Sequence, residues 1–218
     1  MRLLMLLPFF VLSTLVQAAG GGSVPSGGSA PQVKKTPQQR AASFYNAGLK
    51  NKKKAWKYEK KLADISSEKK RIKTQKKIAA QYKKAQKNQA NAIALVNNFY
   101  QAFSELGYSY RKLGDYDKSI RAYNVALSIK SDYSEAIEYR GEAYLARGAY
   151  EESRQAYMTL FRDDPEKANM LMQAFETWSV TDTPAGTEAE AFKSWILERK
   201  QLLSVSQNLS TNNSRDWQ

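Results

Sequence analysis

The sequence predicts an all-α protein, a solenoid of stacked helical hairpins. Two observations carry that expectation. Between Tyr100 and Pro165 the chain repeats itself: Gly107, Tyr110, Gly114, Tyr116 and Tyr123 return as Gly141, Tyr144, Gly148, Tyr150 and Tyr157, each 34 residues later. A fixed period of about 34 residues marks a helix–turn–helix repeat. Apolar residues also recur at helical spacing upstream, where neither glycine nor proline interrupts residues 49–106.

Taken in order, residues 1–18 read as a cleavable secretory signal. Arg2 supplies the positive start, Leu3 to Val16 is apolar apart from Pro8, Ser13 and Thr14, and Val16-Gln17-Ala18 offers small residues for cleavage. The apolar run is shorter than the ~20 residues a spanning helix needs, and no second segment could cross a bilayer. The expected location is the periplasm or the exterior. Residues 19–36 form a linker, with a Gly/Ser/Pro-rich stretch over Gly20–Pro31 that can bury no core.

Thr36-Pro37-Gln38-Gln39 opens a helix, with Thr36 as cap, Pro37 in the first turn and Gln39 closing a capping box. A basic helix is expected over 37–65, with Ser66-Ser67 breaking and recapping it. Two long helices or one bent helix fit residues 37–97. Counting back one period from Tyr100 places a degenerate unit at 66–99, whose second helix is Lys83–Val96. Repeats follow at 100–133 and 134–167. Capping helices follow at 168–205, with Leu171, Phe175 and Trp178 buried in one and Ala189, Phe192, Trp195, Ile196, Leu202 and Leu203 facing inward in the other. The polar stretch 206–218 is expected to be disordered.

Within the repeats, Gly107 and Gly141 sit where two helices press together, and Gly114 and Gly148 permit tight turns. Tyr110, Tyr123, Tyr144 and Tyr157 act as plugs between hairpins, with hydroxyls that can reach a rim.

Counted with Tyr100 as its first position, the pattern resembles the tetratricopeptide repeat. Phe103 falls on that family's large aromatic, Leu106-Gly107 on its Leu-Gly pair, Tyr110 on its tyrosine and Gly114-Asp115-Tyr116 on its turn. The second copy matches at Gly141, Tyr144, Gly148, Tyr150, Tyr157 and Pro165, and departs with Ile137 and Arg140. Ser119 and Ser153 stand where the family prefers alanine. The resemblance implies a right-handed solenoid whose first helices line a concave groove for a peptide or partner helix. By that register the groove shows Gln101, Ser104, Tyr108, Arg111 and Lys112, then Glu135, Glu138, Tyr139 and Glu142, then Asn169, Met172 and Gln173. Ser104 and Tyr108 occupy the places where some members clamp a C-terminal carboxylate with lysine and asparagine, so that activity is not implied. The whole chain resembles small exported bacterial members of the family.

Charge divides the chain. Lys34–Lys87 holds 19 Lys/Arg against 3 Asp/Glu, a net of +16, whereas Asn98–Val180 holds 10 against 13, a net of −3. The lysines have two readings. They coat the solvent face of long helices, or they bind an anionic envelope lipid, lipopolysaccharide or another polyanion through Lys50, Lys52, Lys53, Lys54, Lys57, Lys69, Lys70 and Arg71. Export disfavours nucleic acid. The Glu135/Glu138/Glu142 stripe would favour a basic segment, and the basic arm itself is one candidate to lie against it.

The sequence has no cysteine and no histidine. That removes disulfides, Cys/His metal sites and the usual acid/base at neutral pH. No metal, cofactor or catalytic residue is implied. Glu151-Glu152 and Asp163-Asp164 suit helix ends better than acid/base chemistry. The expected role is a non-catalytic scaffold or adaptor that binds a protein or peptide.

Overall fold

The computed structural model describes residues 34–181 and 186–213, with side chains described as far as Val205. The expected signal and nearly all of the expected linker lie outside these residues. The described residues form eight helices: α1 (Pro37–Ala63), α2 (Glu68–Leu95), α3 (Tyr100–Lys112), α4 (Tyr116–Ile129), α5 (Ser134–Arg147), α6 (Tyr150–Asp163), α7 (Pro165–Thr181) and α8 (Thr187–Asn213). They pair as successive hairpins in an all-α solenoid.

Helix α1 begins with the capping box read from the sequence. Thr36 Oγ1 accepts from the Gln39 amide at 3.2 Å, and the Gln39 side chain accepts from the Thr36 amide at 3.0 Å. Its buried residues Ala41, Gly48 and Ala55 recur every seven positions, as do Ala85 and Ala92 of α2. Small side chains on both helices let their axes approach closely. At Gly48 the approach is closest, since a Cβ there would lie 2.2 Å from Gln89 Nε2. Arg71 closes the turn by donating to the carbonyls of Leu62 (3.4 Å) and Ile65 (3.2 Å), and the Leu62 carbonyl also accepts from the Ile65 amide at 3.3 Å.

This arrangement corrects the unit expected at 66–99. Helix α2 is unbroken from Glu68 to Leu95, and its hairpin partner is α1. Nothing in 68–95 can stop a helix, because the stretch has neither glycine nor proline. The helices of the first hairpin have 27 and 28 residues, against 13 and 14 in the next, so the 34-residue step does not extend to it.

The two clear repeats are α3–α4 and α5–α6. Gly114 and Gly148 both adopt φ 82°, the left-handed conformation that a side chain disfavours, and both turn the chain between helices. Gly107 faces the Tyr123 ring, whose atoms would stand 2.8–3.0 Å from an added Cβ. The Ser119 hydroxyl donates to the Gly107 carbonyl at 2.8 Å, and Ser153 does the same to Gly141 at 2.8 Å. Tyr123 and Tyr157 are fully buried, so their hydroxyls do not reach a rim as expected. The following hairpin covers each of them.

Pro165 opens α7, where its missing amide costs nothing, and Asp164 caps that helix by accepting from the Lys167 amide at 3.2 Å. Leu171, Met172 and Phe175 of α7 meet Phe192 and Ile196 of α8 and Tyr157 and Leu160 of α6 in the largest apolar cluster. Trp178 and Trp195 are half-buried against it. Leu202 was expected inside but is 61% exposed, because α8 runs past the helices it packs on. The helix also continues to Asn213 through part of the stretch expected to be disordered, where no glycine or proline stops it. Residues 214–218 of that stretch lie outside the described residues.

Candidate partner-binding face

Helices α1, α3, α5 and α7 pack side by side, and α2, α4, α6 and α8 back them. The inner face is therefore built from four helices, with α1 as its first member rather than a detached arm. Three residues of α1 meet three of α3 in complementary order. Lys52 pairs with Glu105, the Trp56 indole donates to the Tyr108 hydroxyl at 2.7 Å, and Glu59 pairs with Lys112 at 2.9 Å. Tyr82 of α2 donates to the same Glu59 carboxylate at 2.9 Å. Spacings of four and three on α1, and three and four on α3, put each trio on one helix face.

The pattern continues along the solenoid. Arg111 of α3 pairs with Glu142 of α5 and lies over the Tyr108 and Tyr139 rings, 5.2 and 5.4 Å from their centroids. Glu138 of α5 pairs with Lys167 of α7 at 3.0 Å. Every junction between inner helices thus carries an ion pair.

Burial acts differently on these groups. It opposes the charge on Arg111, and the neighbouring Glu142 carboxylate with the Tyr123 and Tyr108 rings outweighs it, so that guanidinium is held charged. At Glu138 burial wins over the attraction of Lys167, and the carboxyl titrates above its ordinary range. At Lys167 burial is the largest single effect and lowers the pKa, yet Glu138 and nearby carboxylates reverse it, and the ammonium titrates above its ordinary range. The two partners differ because Glu138 is nearly sealed off while Lys167 keeps contact with solvent.

These contacts redistribute the residues expected to line the groove. Ser104, Tyr108, Glu138 and Met172 are buried. Arg111, Lys112 and Glu142 are engaged in ion pairs, and Tyr139 packs edge-on to Tyr108 at 5.1 Å. The acidic stripe is consequently paired at Glu138 and Glu142, and of its three residues only Glu135 forms no ion pair among the described residues. The α1 helix does lie against the inner face, but on α3 through Glu105. What the face still offers is Gln101, Glu135, Asn169 and Gln173, all at least partly exposed.

The cationic set changes too. Lys50, Lys53, Lys54, Lys57, Lys69 and Lys70 are exposed. Lys52 is buried against Glu105, and Arg71 is committed to the α1–α2 turn, so both leave the set. Sequence reasoning missed the roles of Trp56, Glu59, Glu105 and Lys167. The visible signal was the matching order of cation, aromatic and anion on α1 and its reverse on α3. It also missed a cleft of about 480 Å³ between the start of α6 and α8, where Tyr150, Glu152, Glu188, Phe192 and Trp195 meet.

Residues 107–146 match a family described as TPR repeat, and this stretch spans α3 to α5 of the duplicated hairpins. The chain therefore carries a tetratricopeptide repeat over these residues. No curated protein matches this chain in sequence. Among solved structures, it is similar to the TPR domain of Arabidopsis OM64, at 14% identity over 63% of this chain and 94% of that one, with a TM-score of 0.48. It is similar also to the second TPR domain of human RPAP3 in complex with the HSP70 peptide SGPTIEEVD, at 18% identity over 63% and 95%, with a TM-score of 0.48. A third is MamA, at 23% identity over 59% and 81%, with a TM-score of 0.37.

Proposed function

We propose that this protein is a non-catalytic interaction scaffold of the bacterial cell envelope, exported to the periplasm, that holds a basic peptide or helix of a partner protein across its inner face. Its chief support is one row of side chains. Gln101, Glu135 and Asn169 occupy the same position in three successive inner helices, 34 residues apart. All three are at least partly exposed, and none has a hydrogen-bond or ion-pair partner among the described residues. Rows nearer the centre are closed by ion pairs, so they give the face a fixed shape and leave this row to meet a ligand. A carboxylate without an ion-pair contact at its middle favours a cationic segment. Export is supported by the make-up of residues 1–18. A non-catalytic role is supported by a sequence without cysteine or histidine.

The test is site-specific photocrosslinking in intact cells, with the crosslinker at 101, 135 or 169 and, as comparison, at Met158 on an exposed face of α6. One partner adduct should form at all three inner positions, be weak at Met158 and disappear when Glu135→Lys is combined with the crosslinker at 101 or 169. Adducts confined to Met158, or indifferent to Glu135→Lys, would sink the reading.

A further inference from the structure

The outward faces of α1 and α2 are lysine-rich in a way that their packing does not require. At 100° per residue, the exposed lysines of α1 between Lys50 and Lys61 fall within about 120° of arc, opposite Ala41, Gly48 and Ala55. The lysines of α2 between Lys69 and Lys87 fall within about 140°, opposite Tyr82, Ala85 and Gln89. Six of them, Lys57, Lys60, Lys61, Lys69, Lys70 and Lys73, ring the end of the hairpin, and all are exposed. None pairs with a carboxylate among the described residues. The carboxylates of this end are Asp64 in the turn, Glu68, which lies 4.0 Å from Arg71, and Glu59, which pairs with Lys112 of α3 instead. Ile72, 44% exposed, adds an apolar side chain at the same end.

We infer that this end of the α1–α2 hairpin docks on an anionic lipid bilayer. The inference is independent of the inner face. Several features favour a bilayer over nucleic acid. The ring is made of lysine ammoniums, which are hydrated point charges without the planar fork that reads individual phosphates. The one guanidinium nearby, Arg71, is spent on the turn. The aromatics of the hairpin are engaged within the protein: Trp56 is bonded to Tyr108, Tyr82 is buried, Phe44 and Tyr45 pack against Ala41 and Ala92, and Tyr58 lies under Lys77 at 5.7 Å. The cations lie on the outer flanks of both helices, so they follow no single groove. A sheet of headgroups, which demands charge but no register, suits that distribution. Lysine stems can lie along the headgroup boundary while Ile72 enters it.

The full chain is mixed with vesicles of phosphatidylcholine alone, or of phosphatidylcholine with phosphatidylglycerol, and sedimented. Binding should require phosphatidylglycerol and weaken as salt shortens the screening length from about 30 Å to about 8 Å. Changing the six ring lysines to glutamine should cut binding by more than about tenfold, whereas the same six changed to arginine should retain it. Circular dichroism on both variants checks that the helices persist. Equal binding to neutral vesicles, indifference to salt, full binding by the glutamine variant, or loss in the arginine variant each overturns the inference. So does capture of duplex DNA or polyglutamate at the same salt without capture of anionic vesicles.

Discussion

The hydroxyl of Ser119 donates to the carbonyl of Gly107 across 2.8 Å, in a buried seam between α3 and α4. The same bond joins Ser153 to Gly141 one repeat later. It accounts for serine at a position where alanine would fit the helix equally well. Ser119→Ala and Ser153→Ala should each lower stability by about 1 kcal/mol, and the two losses should add. Urea unfolding of both single variants and the double variant checks this.

Gly107→Ala should destabilise the protein although alanine is the better helix former. Alanine gains about 1 kcal/mol in an exposed helix. Here its methyl would meet the buried Tyr123 ring at 2.8–3.0 Å, and a fully buried ring cannot swing away. A net loss of about 1–2 kcal/mol is expected, read from the urea midpoint at constant slope. Increased stability would mean that α3 and α4 separate easily at this point.

Lys52→Met should cost about 1–3 kcal/mol, since it leaves Glu105 desolvated and unpaired. Adding Glu105→Gln should recover part of that loss, with a coupling of about 1 kcal/mol or more in a double-mutant cycle. If α1 were a loose arm, neither change would move the unfolding transition of the rest of the chain.

Glu138 gives a pH signature. Its folded pKa lies above the usual carboxylate value because of burial. As pH falls from neutrality through that raised value, the native state takes up a proton before the unfolded chain does. Stability from this group therefore rises on acidification, until the unfolded pKa near 4.3 is passed. Asp115, Asp132 and Asp163 have lowered values and act in the opposite sense. The comparison with Glu138→Gln isolates the effect: the stability of the native protein relative to the variant should increase as pH is lowered from 7 to about 4.5.

The lysine faces should make stability depend on salt. Like charges three and four residues apart on a helix cost a few tenths of a kcal/mol each, and Lys50/Lys54, Lys53/Lys57, Lys57/Lys61, Lys69/Lys73 and Lys73/Lys77 are such pairs. Added sodium chloride should raise the melting temperature. Glutamine at the six ring positions should flatten that rise, as thermal melts at low and physiological salt will show.

The repeats were legible because their signals are local. Gly114, Gly148, Tyr123 and Tyr157 announce a turn or a plug by residue type and spacing alone. The capping box at Thr36 was legible for the same reason. The first hairpin was not, because the 34-residue ruler fails where helices lengthen, and what replaces it is the seven-residue recurrence of Ala41, Gly48 and Ala55. The inner face was half legible. Periodicity placed Glu138, Glu142 and Arg111 on it, yet their pairing depends on which helix lies alongside. An acidic stripe seen on one helix in isolation cannot reveal that α3 and α7 supply its cations.

The ion pairs Lys52–Glu105, Glu59–Lys112, Arg111–Glu142 and Glu138–Lys167 have a mechanical consequence. Solenoids often behave as springs, since their layers slide on apolar contacts that are indifferent to direction. Here every layer is pinned on its inner side. Sliding one layer past the next would pull opposite charges apart, and pressing α3 and α5 together would crowd Tyr108, Arg111 and Tyr139. The protein should act as a stiff bracket, holding Gln101, Glu135 and Asn169 at a fixed pitch rather than flexing between layers.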